Sequence, residues 1–306
     1  MTIGIAVCGE QAARAALAGL EAVEAVGHGA IGGFVSLSVV TEDAALIDLG
    51  VQRGGAQAML AEPEFARTAG ARLAVLMSSG PDRPEPLSQF TPCDPAAGLM
   101  TGHRLPNMPG PDGTAPNIVA LTALQGGASP QAAVETALSG KPELDAGLIA
   151  MSLDGEIAVL NSASVEARDD IGKAHFVSPG LSVGILHNTI FPHHALAALA
   201  LSAIRDWIRP ATSAPHRGTA VGLSVAPGPE RALLVGAAGI TGFEAPGEEW
   251  QRPEWEGCPV RRGDPVKAGG RVIGRVVAEA YCILRGGTVT ATRGSDTISW
   301  RRQDEA

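Results

Sequence analysis

Apolar positions over the first 80 residues switch between the two periods that mark strand and helix. Ile3 to Cys8 is a short β-prone run, and from Gln11 to Val26 Ala and Leu recur with Glu21 and Glu24 left on a solvated face. The pattern predicts a strand followed by an amphipathic helix. Gly27-His-Gly-Ala-Ile-Gly-Gly33 is a glycine-rich turn into Phe34 to Val40, where Ser36 and Ser38 alternate with apolar residues; after Thr41-Glu-Asp43 the chain returns over Ala44 to Gln52, which completes a hairpin. Ala56 to Gly70 reads as helix with a start or break at Pro63, and Arg72 to Met77 as a buried strand. Ser79 to Pro95 is a rigid, proline-rich loop, of a length that compact domains keep for function.

The second stretch of pattern begins at Gly98, an apolar run ending in polar residues near Asn107, followed by the turn Pro109 to Thr114 and a helix over Asn117 to Gln125. Gly126-Gly-Ala-Ser-Pro130 stops that helix and starts another, with Ser129 as N-cap and Pro130 in the first turn, running to about Leu138. Ala146 to Met151 and Glu156 to Leu160 flank an Asp-Gly turn, a strong hairpin signal. Glu166 to Asp170 reads as a solvent-exposed charged turn, Val183 to His187 as a strand, and Pro192 to Ile208 as a helix. Arg209 to Gly218, rich in Pro, Ser and Thr, is the linker candidate, and the remaining 90 or so residues are β-prone pieces separated by Gly and Pro. The expected division is therefore 1–208 and a β-rich region 209–306.

Composition narrows the function classes. With 306 residues, 45% of them apolar, the chain has ample material for a core. The net charge of −9 and the scattered basic residues argue against nucleic acid and against anionic membrane surfaces, which need a concentrated basic footprint. The start lacks the basic n-region of a secretory signal, and the longest apolar helical stretch, His194 to Ile204, is about half of what a bilayer span needs. Cys8, Cys93, Cys258 and Cys282 are few, far apart and without CxxC pairing, as reduced cytoplasmic thiols are. Apolar helix faces predict a homo-oligomer, and the low aromatic content, 4%, argues against a site that stacks large rings.

Gly98-Leu-Met-Thr-Gly-His-Arg-Leu-Pro-Asn107 concentrates the candidate chemistry: Thr101 offers a hydroxyl, His103 a titratable imidazole, Arg104 a bidentate anion clamp and Asn107 a hydrogen-bond donor. The plain alternative is loop residues that satisfy backbone groups. Gly27 to Gly33 precedes a strand, so the geometry of a dinucleotide site is missing, and no Walker loop or G-x-S-x-G elbow occurs. His187, His193 and His194 cluster within eight residues, but His193 and His194 point about 100° apart on a helix. Arg262 to Gly269 reads as a structural β-turn, and no cofactor is expected.

The segment from Ala97 to Ser162 resembles the Ntn-hydrolase-like superfamily, in particular a widespread uncharacterised bacterial family within it. The shared elements are Gly98-Leu-Met-Thr101, Leu105-Pro-Asn107, Leu121 to Gly126, Ser129-Pro130 through Leu138, and Leu148 through Leu160 around Asp154-Gly155. The Ala-rich helix and the hairpin at 27–52 are similar to the opening of asparaginase or isoaspartyl-peptidase type enzymes. The resemblance implies α+β architecture, a four-layer αββα sandwich with a mainly β C-terminal extension, and amide cleavage by a terminal Thr, Ser or Cys whose own α-amine is the base. On that basis the chain is expected to hydrolyse a small amide or other non-peptide C–N bond of a small-molecule substrate. Thr101 would be the nucleophile after a cut at Met100–Thr101, His103 a proton carrier and Asn107 an oxyanion or substrate donor. Arg104 would clamp a substrate carboxylate, with Asp82, Arg83 and Asn117 completing the substrate-binding set. Thr2 would become terminal on loss of Met1, but the adjacent Ile-Gly-Ile strand is expected to lack polar partners. The other expectations are a non-catalytic small-ligand-binding or assembly protein on the same fold, and a metal-dependent hydrolase built on His187 to His194.

Overall fold

The computed structural model describes residues 1–208 and 215–302 and divides into two compact units, Met1–Pro210 and Ala211–Ala306. Helix and strand are mixed in the first, and the second is mainly strand. Of the expected linker, residues 209–214 lie outside the described residues.

The N-terminal unit runs β1 (Thr2–Cys8), α1 (Ala12–Val26), β2 (Val35–Val40), β3 (Leu46–Val51), α2 (Gly55–Ala61), β4 (Leu73–Ser79), β5 (Cys93–Asp94), β6 (Gly98–Arg104), α3 (Pro116–Gln125) and α4 (Pro130–Leu138). It continues with β7 (Ala146–Ser152), β8 (Ile157–Asn161), α5 (Ala163–Glu166), β9 (Ile171–Ser178), β10 (Leu181–Asn188) and α6 (His193–Ile208). The helical pattern over 56–70 breaks where Pro63 stands: α2 ends at Ala61, and Pro63–Thr68 forms a 3-10 turn. Ser129 caps α4, its hydroxyl accepting the Ala132 N–H at 3.3 Å, an arrangement worth about 1 kcal/mol.

Two antiparallel sheets result, ordered β3-β2-β4-β1-β10-β9 and β5-β6-β7-β8. Because strand side chains alternate, each strand feeds two different cores. Ile3, Ile5 and Val7 of β1 and Val183 and Ile185 of β10 point to α1 and α6, joining Leu17, Leu20 and Ile204. On the other sheet Met100, Leu148 and Ala150 meet Leu121, Leu124 and Val134 of α3 and α4. Between the sheets lie Ala6, Val75 and Leu186 from one side and Leu99, Ile149 and Met151 from the other.

Glycines let the two sheets touch. A Cβ on Gly4 would fall inside van der Waals contact with the carbonyl oxygen of Gly102 in β6, so only a residue without a side chain lets the two backbones touch there. The C-terminal unit has a seven-stranded and a three-stranded sheet around a core that includes Phe243, Trp250, Val266, Leu284 and Trp300.

Gly4→Ala is expected to force β1 and β6 apart and to cost about 2 kcal/mol or more, as overpacking does. In a unit of this size that is a fall in Tm of about 4–8 °C. Thermal denaturation followed by circular dichroism reads it; an unchanged Tm would mean that the two strands are not in contact.

Candidate functional site

At one end the layer between the sheets turns polar. Thr2 opens β1, and its register partners are Asn188 on β10 and Ser79 on β4. Residues directly opposite one another share a face, so all three point into the space between the sheets. All three are buried, as is His103 on the facing strand β6.

The Thr2 hydroxyl is held from both sides. It donates to Asn188 Oδ1 at 2.6 Å and accepts the backbone N–H of Arg104 at 2.6 Å. Arg104 reaches it from the left-handed conformation, φ 65°, and Thr189, next to Asn188, has φ 55°. Such conformations are unfavourable for residues with side chains and gather at functional sites. Asn188 Nδ2 donates to Thr189 Oγ1 at 2.8 Å, which donates to Asp170 Oδ2 at 2.7 Å; Arg168 grips both oxygens of Asp170. That double grip, with burial opposing it, holds the Asp170 carboxyl far below the usual carboxylate range.

His103 Nε2 is 2.8 Å from Asn161 Oδ1 across Gly147, the residue opposite both. A Cβ at position 147 would collide with the imidazole and the carboxamide, so this glycine is what lets the pair meet over β7. Asn161 Nδ2 donates to Glu166, which fixes Oδ1 as the acceptor and the His103 proton on Nε2. Nδ1 then faces Asn188 with a lone pair and no hydrogen bond. Burial pushes this imidazole down to about 4, so His103 is neutral at neutral pH and orients its neighbours instead of carrying a proton charge.

Ser79 Oγ accepts from Arg83 Nε at 3.2 Å and Nη2 at 3.1 Å, leaving its own O–H to donate. Met1, next to Thr2, is exposed and lies against Gly29 and Ala30. Its sulfur accepts the Ala30 N–H at 2.8 Å, and its amine is lowered below its ordinary value, first by burial and then by Arg104 and Arg83.

The candidate residues from the 82–117 region divide. Thr101 donates its hydroxyl to the Leu76 carbonyl at 2.7 Å from the middle of β6, and Met100–Thr101 is a bond inside a paired strand. Arg104 is forked onto Asp145 (Nε to Oδ1 2.7 Å). Asn107 and Asn117 both bind Gln89, through its side chain and its carbonyl, each at 2.9 Å. Asp82 pairs with Arg53 at the surface. Only His103, Arg83 and the Arg104 backbone reach the Thr2 cluster. The expectation that the strand beginning at Thr2 lacks polar partners is corrected: the Thr2 hydroxyl finds them on β6 and β10. His187 lies on the opposite, helix-facing side of β10, as Ile3 does on β1, and His193 Nδ1 is bound to the Ile190 carbonyl at 2.9 Å. Among the described residues no group of three or more His, Cys, Asp or Glu is placed to hold a metal. A groove of about 330 Å³ lies at the far end of β1, lined by Cys8, Val40, Arg72, Leu73 and Asp154; burial raises the Cys8 thiol, so it stays protonated there.

Buried His103 and His187 are both pushed down to about 4, chiefly by burial. Unfolded, each would titrate near 6.5, so between about pH 4 and 6.5 the unfolded chain binds the extra protons and stability rises with pH. Glu24, which caps the start of α2 through the Ala56 N–H, is raised to about 7 by burial and acts in the opposite sense between about pH 4.5 and 7. The balance is one proton, two less one, or about 1.4 kcal/mol per pH unit. Urea unfolding at about pH 5 and pH 6.5 should therefore show lower stability at the acid end, and Glu24→Gln should steepen the slope; a flat wild-type profile would contradict it.

No helix among the described residues is long and apolar enough to cross a membrane. No match is found among curated proteins. Residues 222–297 match a family described as Domain of unknown function (DUF7259). Residues 2–217, which span the N-terminal unit and the whole Thr2 cluster, match the family described as Domain of unknown function (DUF6963), and the chain belongs to that family.

Proposed function

We propose that the N-terminal unit has the four-layer αββα architecture of the Ntn-hydrolase-like superfamily and that it hydrolyses a small amide or related non-peptide C–N bond. Thr2 is the nucleophile, freed by hydrolysis of the Met1–Thr2 bond. The carrying observation is the buried Thr2 hydroxyl, held between the Arg104 N–H and Asn188 Oδ1 at the polar end of the layer between the sheets. The outer positions of α1 and α6 on one sheet and of α3 and α4 on the other support the architecture. Thr101, the alternative nucleophile, is spent on a backbone carbonyl inside a strand.

The chemistry follows from the neighbours. A threonine hydroxyl is a weak nucleophile and needs a base within reach, which a freed Thr2 α-amine supplies. Oγ attacks the amide carbon as its proton passes to that amine. The C–N bond then breaks, the leaving nitrogen takes the proton, and an ester remains on Oγ. Water, deprotonated by the same amine, hydrolyses the ester. The Arg104 N–H stabilises the developing alkoxide, and the Ser79 O–H, polarised by Arg83, lies beside Thr2 where the tetrahedral oxyanion forms.

Intact-mass measurement of the purified protein should show the loss of one methionine, with Thr2 as the new N-terminus. On such protein Thr2→Ser should retain amine or ammonia release from a panel of small amides, and Thr2→Val should lose it by about 10³-fold or more. A chain that keeps Met1, or equal turnover by Thr2→Val, sinks the reading and leaves the cluster as a ligand-binding site.

A further inference from the structure

Strand β9 (Ile171–Ser178) is one edge of the six-stranded sheet. It pairs with β10 along its whole length without a register shift, and its outward backbone groups make no hydrogen bond among the described residues. Such an edge is a template for another strand, and chains guard it with Pro, a bulge, a charge or a covering element. The opposite edge strand, β3, has the 3-10 turn Leu87–Phe90 packed on it, with Leu87 against Gly50. Strand β9 has neither Pro nor bulge, and its lysine, Lys173, is tied to Glu166. It also carries Val177, at 66% the most exposed large apolar side chain among the described residues.

The order of residues along β9 fits a second β9 running the other way. Ile171, Lys173, His175 and Val177 stand opposite Asn188, Leu186, Gly184 and Ser182 of β10, on the face toward the second sheet. Gly172, Ala174 and Phe176 stand on the face toward α6, where the Arg205 guanidinium lies 4.7 Å from the Phe176 ring centroid. A two-fold axis at Ala174 sets Val177 across from Ile171 of the other copy and Phe176 across from Gly172, with Ala174 across from itself. Two apolar side chains then cover one another on one face, and on the other an aromatic ring covers a glycine, both favourable cross-strand pairs. Moving the axis to Lys173 sets two ammoniums directly opposite each other, which opposes pairing. Moving it to His175 sets Val177 against Lys173 and takes Phe176 off the glycine.

We propose that the chain forms a two-fold homodimer by antiparallel β9–β9 pairing centred on Ala174, which joins the six-stranded sheets of two copies into one. The self-match of the strand selects a second copy as the occupant, since a peptide of another sequence would gain the backbone bonds without the side-chain pairs.

The test uses the full chain. Light scattering at about 50 µM should give twice the chain mass of 31.1 kDa. Hydrogen exchange of the peptide covering 171–178 should be about tenfold or more slower at that concentration than at about 0.5 µM. Val177→Lys should give the mass of one chain with an unchanged far-UV circular dichroism spectrum, and Val177→Ile should keep the dimer. The mass of one chain for the unaltered protein, a dimer that survives Val177→Lys, or exchange over 171–178 that is independent of concentration overturns the proposal.

Discussion

Everything distinctive in the N-terminal unit depends on two backbones being allowed to touch. Packed sheets ordinarily stand about 10 Å apart, separated by interdigitated side chains. At Gly4 and Gly102 there is no side chain on either strand, and the carbonyl of Gly102 occupies the volume that a Cβ at Gly4 would need. Two residues along, that approach puts the Arg104 N–H within 2.6 Å of the Thr2 hydroxyl, a bond between residues 102 positions apart in sequence. The left-handed turn of Arg104 completes the reach, and its side chain is then stabilised by the fork onto Asp145.

The polar end of the layer is not what folding alone would select. The centre is Ala, Val, Leu, Ile and Met, and continuing that pattern to positions 2, 79, 103 and 188 would bury the same area without a polar group to satisfy. Replacing both partners of a buried hydrogen bond by apolar groups of like shape is close to neutral, whereas one unpaired buried group costs about 1–3 kcal/mol. The unit carries such groups: Nδ1 of His103, and both ring nitrogens of His187, have no hydrogen-bond partner among the described residues. A network that is mostly satisfied and closes on one hydroxyl fits a site better than a core.

Most of the frame was legible in the sequence because its signals are local. The β1–α1 pair, the break at Pro63, the Ser129 cap and the Asp-Gly hairpin each rest on residues within a few positions of one another. Strand β9 was not legible: it has only half-buried and exposed positions and follows directly on a charged turn, so its first residues read as solvent-facing. That turn contributes Arg168 and Asp170 to the cluster. The site was legible only in part, for a geometric reason. Alternation sends Thr101 and His103 inward and the Arg104 side chain outward, while Asn107 and Asn117 turn to Gln89. Thr2 finds its partners 102 and 186 residues away, and no local pattern reports a pairing at that separation. The faint signal was positional: a threonine at the head of a buried strand, with Asn188 at the end of another.

The arginines give that position a further consequence. On the Thr2 reading the freed α-amine lies one residue from the Met1 amine, which burial, Arg104 and Arg83 lower, and the same surroundings favour the neutral form that a base needs.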